Sequence, residues 1–228
     1  MKLPMKHRRR LTLTQRLGRF VGGRFKRMYY QLAESTSGSH KRDFLVARVE
    51  DARGSLEETR DQFQTTLEKF SALVEFDGGG LLLYYKQLKR EFDLSEQKAQ
   101  AVRDHIDAIE DLAIALFHEW EQELEQYTNR SLRGKSRQKL KRTQRHYKTL
   151  MTAMRRAESK IDPVLNAFRD QVLYLKHNLN AQAIAALQHE LVHVTMDIAG
   201  MIEVMDKSIA QAEQFMRTLE HPPALPAE

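Results

Sequence analysis

YKQLKREFDLSEQKAQAVRDHIDAIEDLAIALFHEWEQELEQY, residues 85–127, places apolar or small side chains at steps of three and four: Tyr85, Leu88, Phe92, Ser95, Ala99, Val102, Ile106, Ile109, Ala113, Leu116, Trp120, Leu124 and Tyr127. A repeat near 3.5 residues held over six heptads is what a left-handed helical supercoil requires, because only an under-wound helix keeps such a seam facing its neighbour. The stretch therefore predicts one long helix in a coiled-coil bundle, over about Leu81 to Tyr127.

Three further seams have the same step. Upstream, Val49, Ala52, Leu56, Thr59, Phe63, Thr66, Phe70 and Leu73 predict a helix over about His40 to Val74, with Ser39 as its N-cap. It stops at Phe76-Asp77-Gly78-Gly79-Gly80, where glycines permit left-handed backbone angles. Downstream, the polar, glycine-containing segment Thr128 to Lys135 reads as a turn. A third helix then starts near Arg137 with the seam Leu140, Tyr147, Met151, Met154, Ile161, Leu165, Phe168, Val172 and Leu175. Pro163 interrupts it and predicts a kink, or a fresh helix capped by Asp162. Asn178 to Asn180 make the next turn. Asn180 is the expected N-cap of a last helix with Ile184, Leu187, Leu191, Val194, Ile198, Met201, Met205, Ser208, Ala212, Phe215 and Leu219 inward. The fold class is therefore all-α, an elongated antiparallel bundle of about four long helices with a basic N-terminal arm. The expected division is 1–38 arm, 39–220 bundle and 221–228 disordered tail.

Composition agrees. Of 228 residues 30% are charged, with ten glycines, five prolines and no cysteine. The missing cysteine excludes disulfides, thiol nucleophiles and cysteine-ligated zinc in this chain. No apolar run reaches the roughly 18 residues needed to span a bilayer, so a cytoplasmic or peripheral inner-membrane location is expected.

Charge is unevenly spread. Residues 1–33 hold ten Lys and Arg and no acid, so that the remainder, at 27 basic against 31 acidic residues, is net negative. Within this arm Arg8, Arg9, Arg10, Arg16, Arg19, Arg24, Lys26 and Arg27 alternate with Leu13, Leu17, Phe20, Val21 and Phe25. That pattern fits an anionic membrane surface, and nucleic-acid phosphates are the alternative. A second run, between Glu125 and Glu158, carries eleven cations with no acid among them. Arg130, Arg133 and Lys135, in the expected turn, are the candidates for contact with membrane or nucleic acid. Farther along, Lys139 to Arg156 are expected to pair with the acidic stretch that precedes the turn, from Asp104 to Glu125.

His189-Glu190-Leu191-Val192-His193 matches the zincin pattern of two histidines one turn apart beside a glutamate. Its register sets Leu187, Leu191 and Val194 inward and both histidines outward, away from any cleft. Glu119 with Glu123 lacks a buried Glu-x-x-His partner and reads as solvated charge. No catalytic residue, metal ligand, cofactor or small-molecule substrate is therefore expected. Met151, Met154, Met196, Met201 and Met205 fall mostly in or beside the seams and read as core, with an adaptable binding groove as the alternative, and Trp120 reads as packing.

Several segments carry a family resemblance. They are His40-Lys41-Arg42-Asp43, Val49-Glu50-Asp51-Ala52-Arg53, Phe76-Asp77-Gly78-Gly79, Ala115-Leu116-Phe117-His118-Glu119-Trp120-Glu121, and above all Phe168-Arg169-Asp170-Gln171-Val172-Leu173-Tyr174-Leu175-Lys176-His177-Asn178-Leu179-Asn180-Ala181. From about His40 to Met216 the chain resembles an uncharacterised bacterial family catalogued as domain of unknown function 2959. The resemblance implies an all-helical, coiled-coil-rich protein without established activity. Its members often look like exported lipoproteins, which keeps the cell envelope open as a location, although a basic arm stands here in place of a signal and lipid-bearing cysteine. It also draws attention to Lys176, His177, Asn178 and Asn180, either as caps of a turn or as a partner-binding site. The expected function is that of a scaffold, with a protein partner or a second copy of the chain.

Overall fold

A computed structural model describes residues 38–75, 81–178 and 180–220. The basic arm, the Gly78 to Gly80 turn and the C-terminal tail lie outside the described residues. Internal contacts divide the chain between Lys41 and Arg42 into two units, and the second of them builds the bundle. The helices are α1 (Gly38–Val74), α2 (Leu81–Leu124), α3 (Arg130–His177) and α4 (Ala181–Glu220), with α1 belonging to the second unit from Arg42 onward. At 37 to 48 residues each they rise about 55–72 Å.

The seams form the core. Every apolar seam residue of α1 from Val49 to Leu73 is buried, as are Leu88 through Leu116 in α2, Met154 through Leu175 in α3 and Val194 through Phe215 in α4. Leu45, Val74, Ala183 and Ile209 add to it. Phe168 of α3 meets Phe63 and Phe70 of α1 at ring-centroid distances of 6.4 and 6.0 Å. In another layer, Tyr147 of α3 meets Phe117 of α2 at 5.3 Å and Phe215 of α4 at 6.5 Å.

Cross-helix polar contacts fix direction and order. Arg53 faces Glu213, Arg60 bonds Asp206, and Gln188 donates to the Val74 carbonyl, so α4 descends as α1 climbs. Glu58 pairs with Lys98 while Gln62 donates to Glu91. Glu96 pairs with Arg169, Arg103 with Asp162, and Asp107 with Arg155. Each neighbouring pair is antiparallel, as short connections demand.

Polar seam residues find local partners. Thr59 donates to the Ser55 carbonyl, and Thr66 and Ser95 each donate to the carbonyl four residues back while their hydroxyls lie 2.9 Å apart. Ser208 differs, because its Oγ is fully buried without a hydrogen-bond partner. A buried hydroxyl left unpaired carries a desolvation penalty that an added methyl group does not. Ser208→Ala is therefore expected to stabilise the bundle by about 1 kcal/mol, read as a higher midpoint in urea with unchanged slope.

Four local expectations are corrected. α3 begins at Arg130, because the Asn129 side chain accepts from the Leu132 N–H at 3.1 Å and caps it there. The turn is thus confined to residues 125–129, and Gly134 lies inside the helix. α2 ends at Leu124, which leaves Tyr127 in the turn and 41% exposed. Ser39 falls within α1 instead of capping it. Pro163 sits inside an unbroken α3, so no fresh helix starts at Asp162, whose carboxylate is bound by Arg103.

Candidate interaction surface

The turn between α2 and α3 and the first turns of α3 carry the described part of the basic sequence. Arg133 turns back to pair with Glu125. Arg130, Lys135 and Arg137 are exposed and make no ion pair among the described residues. Two apolar side chains stand among them, Tyr127 and Leu132, the latter 53% exposed. By helical spacing Leu132 is on the side of Ser136 and Leu140, yet it remains largely uncovered.

The expected pairing of the run with α2 holds only in part. Arg155 reaches Asp107 at 2.6 Å and also Glu110 and Glu158, which together hold its guanidinium above the usual arginine range against the burial that opposes it. Gln144 donates to Glu121. By contrast Lys141, Arg145 and Lys148 are exposed and form no ion pair among the described residues. The reason lies on α2. Lys148 is one heptad before Arg155 and so has the same angular position, but the α2 residues one heptad on from Asp107 and Glu110 are Ile114 and Phe117, which carry no charge. Arg137, Lys141, Arg145 and Lys148, at steps of four, four and three, fall on the outward line. Over this stretch the cations outnumber Glu121, Glu123 and Glu125, the nearest preceding acids in sequence.

Behind this line Trp120 is half-buried and held from two sides. Its indole N–H donates to Ser136 Oγ at 3.0 Å, and the Arg42 guanidinium lies 5.6 Å from the ring centroid. This ties the start of α1 to the α2–α3 hairpin. Burial, then the nearby Arg42 charge, lowers Lys139 below the usual lysine range.

Tyr147, in the aromatic layer, has its phenol pushed well above the ordinary tyrosine value, first by burial and then by Glu110. A group whose folded pKa is raised stabilises fully below its unfolded pKa, near 10.0, and that contribution is lost as pH climbs toward the folded value. Tyr147→Phe removes the titration. The variant is expected to match the parent at neutral pH and to exceed it in stability above about pH 10, as measured by urea melts across that range.

At the α3–α4 turn the asparagines serve the backbone. Asn178 Nδ2 donates to the Tyr174 carbonyl at 3.0 Å, and Asn180 Oδ1 accepts from the Ala183 N–H at 3.0 Å. Lys176 and His177 are exposed in the last turn of α3, where cations complement the carbonyl end of a helix. His189 and His193 are exposed, as their register requires. Among the described residues no three His, Asp or Glu side chains are grouped to hold a metal ion, and no helix is long and apolar enough to cross a membrane. Met196 corrects the reading of the methionines, since it is 67% exposed while Met154, Met201 and Met205 are buried.

A family model described as "Protein of unknown function (DUF2959)" matches residues 29–219. The chain belongs to this family. The DUF2959 match runs wider than the segments that first suggested it and takes in all of the described bundle but Glu220. No curated protein matches the chain. Sequence reading selected Arg130, Arg133 and Lys135 but passed over Tyr127 and Leu132 as surface apolar groups. It also passed over the outward line from Arg137 to Lys148, although the heptad register of α3 already marked that line.

Proposed function

We propose that this DUF2959 protein is a non-enzymatic scaffold that docks peripherally on an anionic membrane through the α2–α3 tip. The observation that supports this reading most directly is the exposure of Tyr127 and Leu132 beside Arg130, Lys135 and Arg137. Cations neutralise headgroups while an aromatic and an aliphatic side chain enter the headgroup boundary, which is how interfacial elements hold to a bilayer. The arm supplies ten more cations in sequence. The four seams support the scaffold reading, because their side chains are spent on packing the helices against one another.

A second reading draws on the outward line Arg137, Lys141, Arg145 and Lys148. Straight, cationic and without apolar interruption, it suits a phosphate backbone gripped without base readout. Co-sedimentation with vesicles containing anionic lipid, with neutral vesicles, and with duplex DNA as competitor tests both. Pelleting with anionic vesicles alone is expected. Retention on DNA with a steep loss on added salt, and no pelleting with vesicles, would replace the first reading by the second.

A further inference from the structure

The end of the bundle opposite the α2–α3 tip combines apolar exposure with positive charge. Glu96 and Phe92 of α2 lie against Arg169 of α3, and Gln188 of α4 bonds Val74 of α1. The start of α2 therefore shares this end with the last turns of α1 and α3 and the first of α4. Leu81, Tyr84 and Tyr85 pack against the core and hold the first turns of α2 in place. Leu82 and Leu83, between them, are 51% and 60% exposed. One turn back, Lys86 stands four residues from Leu82 and three from Leu83, with Arg90 a further turn along the same line. Lys86, Arg90 and Lys176 are exposed and make no ion pair among the described residues. No acid occurs from residue 81 to residue 90 or from residue 171 to residue 189, and Asp77 and Glu75 are the acids nearest to Leu81 in sequence.

We propose that the start of α2 is a second contact for an anionic bilayer, so that one molecule holds two such surfaces apart by the length of α2, about 65 Å. Shape and charge select the occupant. Neighbouring residues on a helix point about 100° apart, so a rigid helix laid along α2 could cover Leu82 or Leu83 but not both. A fluid bilayer closes around the end that carries them. Lys86 lies about 6 Å behind Leu82 along the helix axis. With the bundle upright, its ammonium is set among headgroups when the leucines enter to the interfacial depth of about 5–10 Å. The arrangement repeats that of Leu132 beside Arg130, Lys135 and Arg137. Two leucines hold weakly, yet many molecules act in parallel between the same two surfaces and their contacts combine. Bridging rests on membrane docking by the α2–α3 tip, whereas contact at this end does not.

Vesicles of phosphatidylglycerol with phosphatidylcholine, and of phosphatidylcholine alone as the neutral set, test both parts with the full chain. Energy transfer between donor-labelled and acceptor-labelled vesicles should show the parent clustering the anionic set only. Leu82→Asp with Leu83→Asp should still pellet with anionic vesicles through the tip but cluster them at least about tenfold less. Its helicity and urea midpoint should be unchanged, because both side chains are largely exposed and a carboxylate suits the first turn of a helix. Insertion is read directly by a polarity-sensitive dye on Leu83→Cys, which has no background in a chain without cysteine. Its emission should shift to the blue on anionic vesicles. The same dye on Gly54→Cys, midway along α1 where an added Cβ meets nothing within 4 Å, should not shift. A blue shift at residue 83 without clustering would support this contact and count against the tip. No shift at residue 83, an equal shift at residue 54, or undiminished clustering by the double aspartate variant would each overturn the proposal.

Discussion

Phe168→Ala is expected to destabilise the bundle by about 3–5 kcal/mol, the range for deleting a buried phenylalanine whose surroundings cannot collapse around the gap. Its ring is fully buried and reaches across the bundle to Phe63 and Phe70, with the Phe70 contact edge-on at 77°. Alanine would forfeit the transfer energy of the ring, both aromatic contacts, and the packing that joins α3 to α1. Relaxation is limited because Phe63, Phe70 and Leu165 are themselves walled in by the other helices. For a domain of this size the midpoint of thermal unfolding should fall by about 6–20 °C. Leu173→Ala provides the contrast. Leu173 lies on the same helix but is 47% exposed, and its truncation should cost less than about 0.5 kcal/mol. Equal effects from the two substitutions would show that Phe168 does not sit in a packed layer.

How far the fold was legible follows from the same residues. A seam is a periodicity, so Thr59, Thr66 and Ser95 could be placed inside the bundle although their side chains are polar, and the structure buries all three. Their hydroxyls are tolerated because a helix offers the carbonyl four residues back as an acceptor. Helix ends were harder to read, because they depend on single hydrogen bonds that periodicity does not report. Gly134 suggested a turn, whereas the Asn129 cap starts α3 at Arg130, four residues before it. At Asn180 the same chemistry was readable, since an asparagine there immediately precedes an apolar repeat.

Charge partners were legible only where angle and sequence agree. The acidic stretch of α2 and the basic run of α3 were matched as blocks across the hairpin, yet the match holds only where an acid stands opposite. Arg155 gathers Asp107 and Glu110, while Lys148, one heptad earlier and at the same angle, has Ile114 and Phe117 at the corresponding positions of α2. Block-level pairing therefore overstated neutralisation and hid the outward line. Met196 was misplaced for a related reason. An apolar residue outside the core seam reads as core when only its neighbourhood is scanned, and only the angular position sets it on the exposed side of α4.

Reversing the tip, with Arg130→Glu, Lys135→Glu and Arg137→Glu together, is expected to weaken binding to anionic vesicles by about a hundredfold or more, since each cation near such a surface contributes about 1 kcal/mol and each new carboxylate opposes it. All three side chains are exposed without an ion pair among the described residues, so the fold should tolerate the change. Leu132→Asp in an otherwise unaltered chain should also weaken binding, and its effect should persist at high salt, because insertion of an apolar side chain is not screened as headgroup attraction is. The outward line gives the opposing test. Lys141→Glu, Arg145→Glu and Lys148→Glu remove cations that the tip does not need. If membrane docking is the function, these three should reduce vesicle binding less than the tip variant does. If a phosphate backbone is the ligand, they should reduce DNA retention at least as much as the tip variant and flatten its dependence on the logarithm of salt concentration by about three. Leu132→Asp should then have little effect. The apolar substitution decides between the readings, since both ligands attract the cations but only a bilayer rewards Leu132.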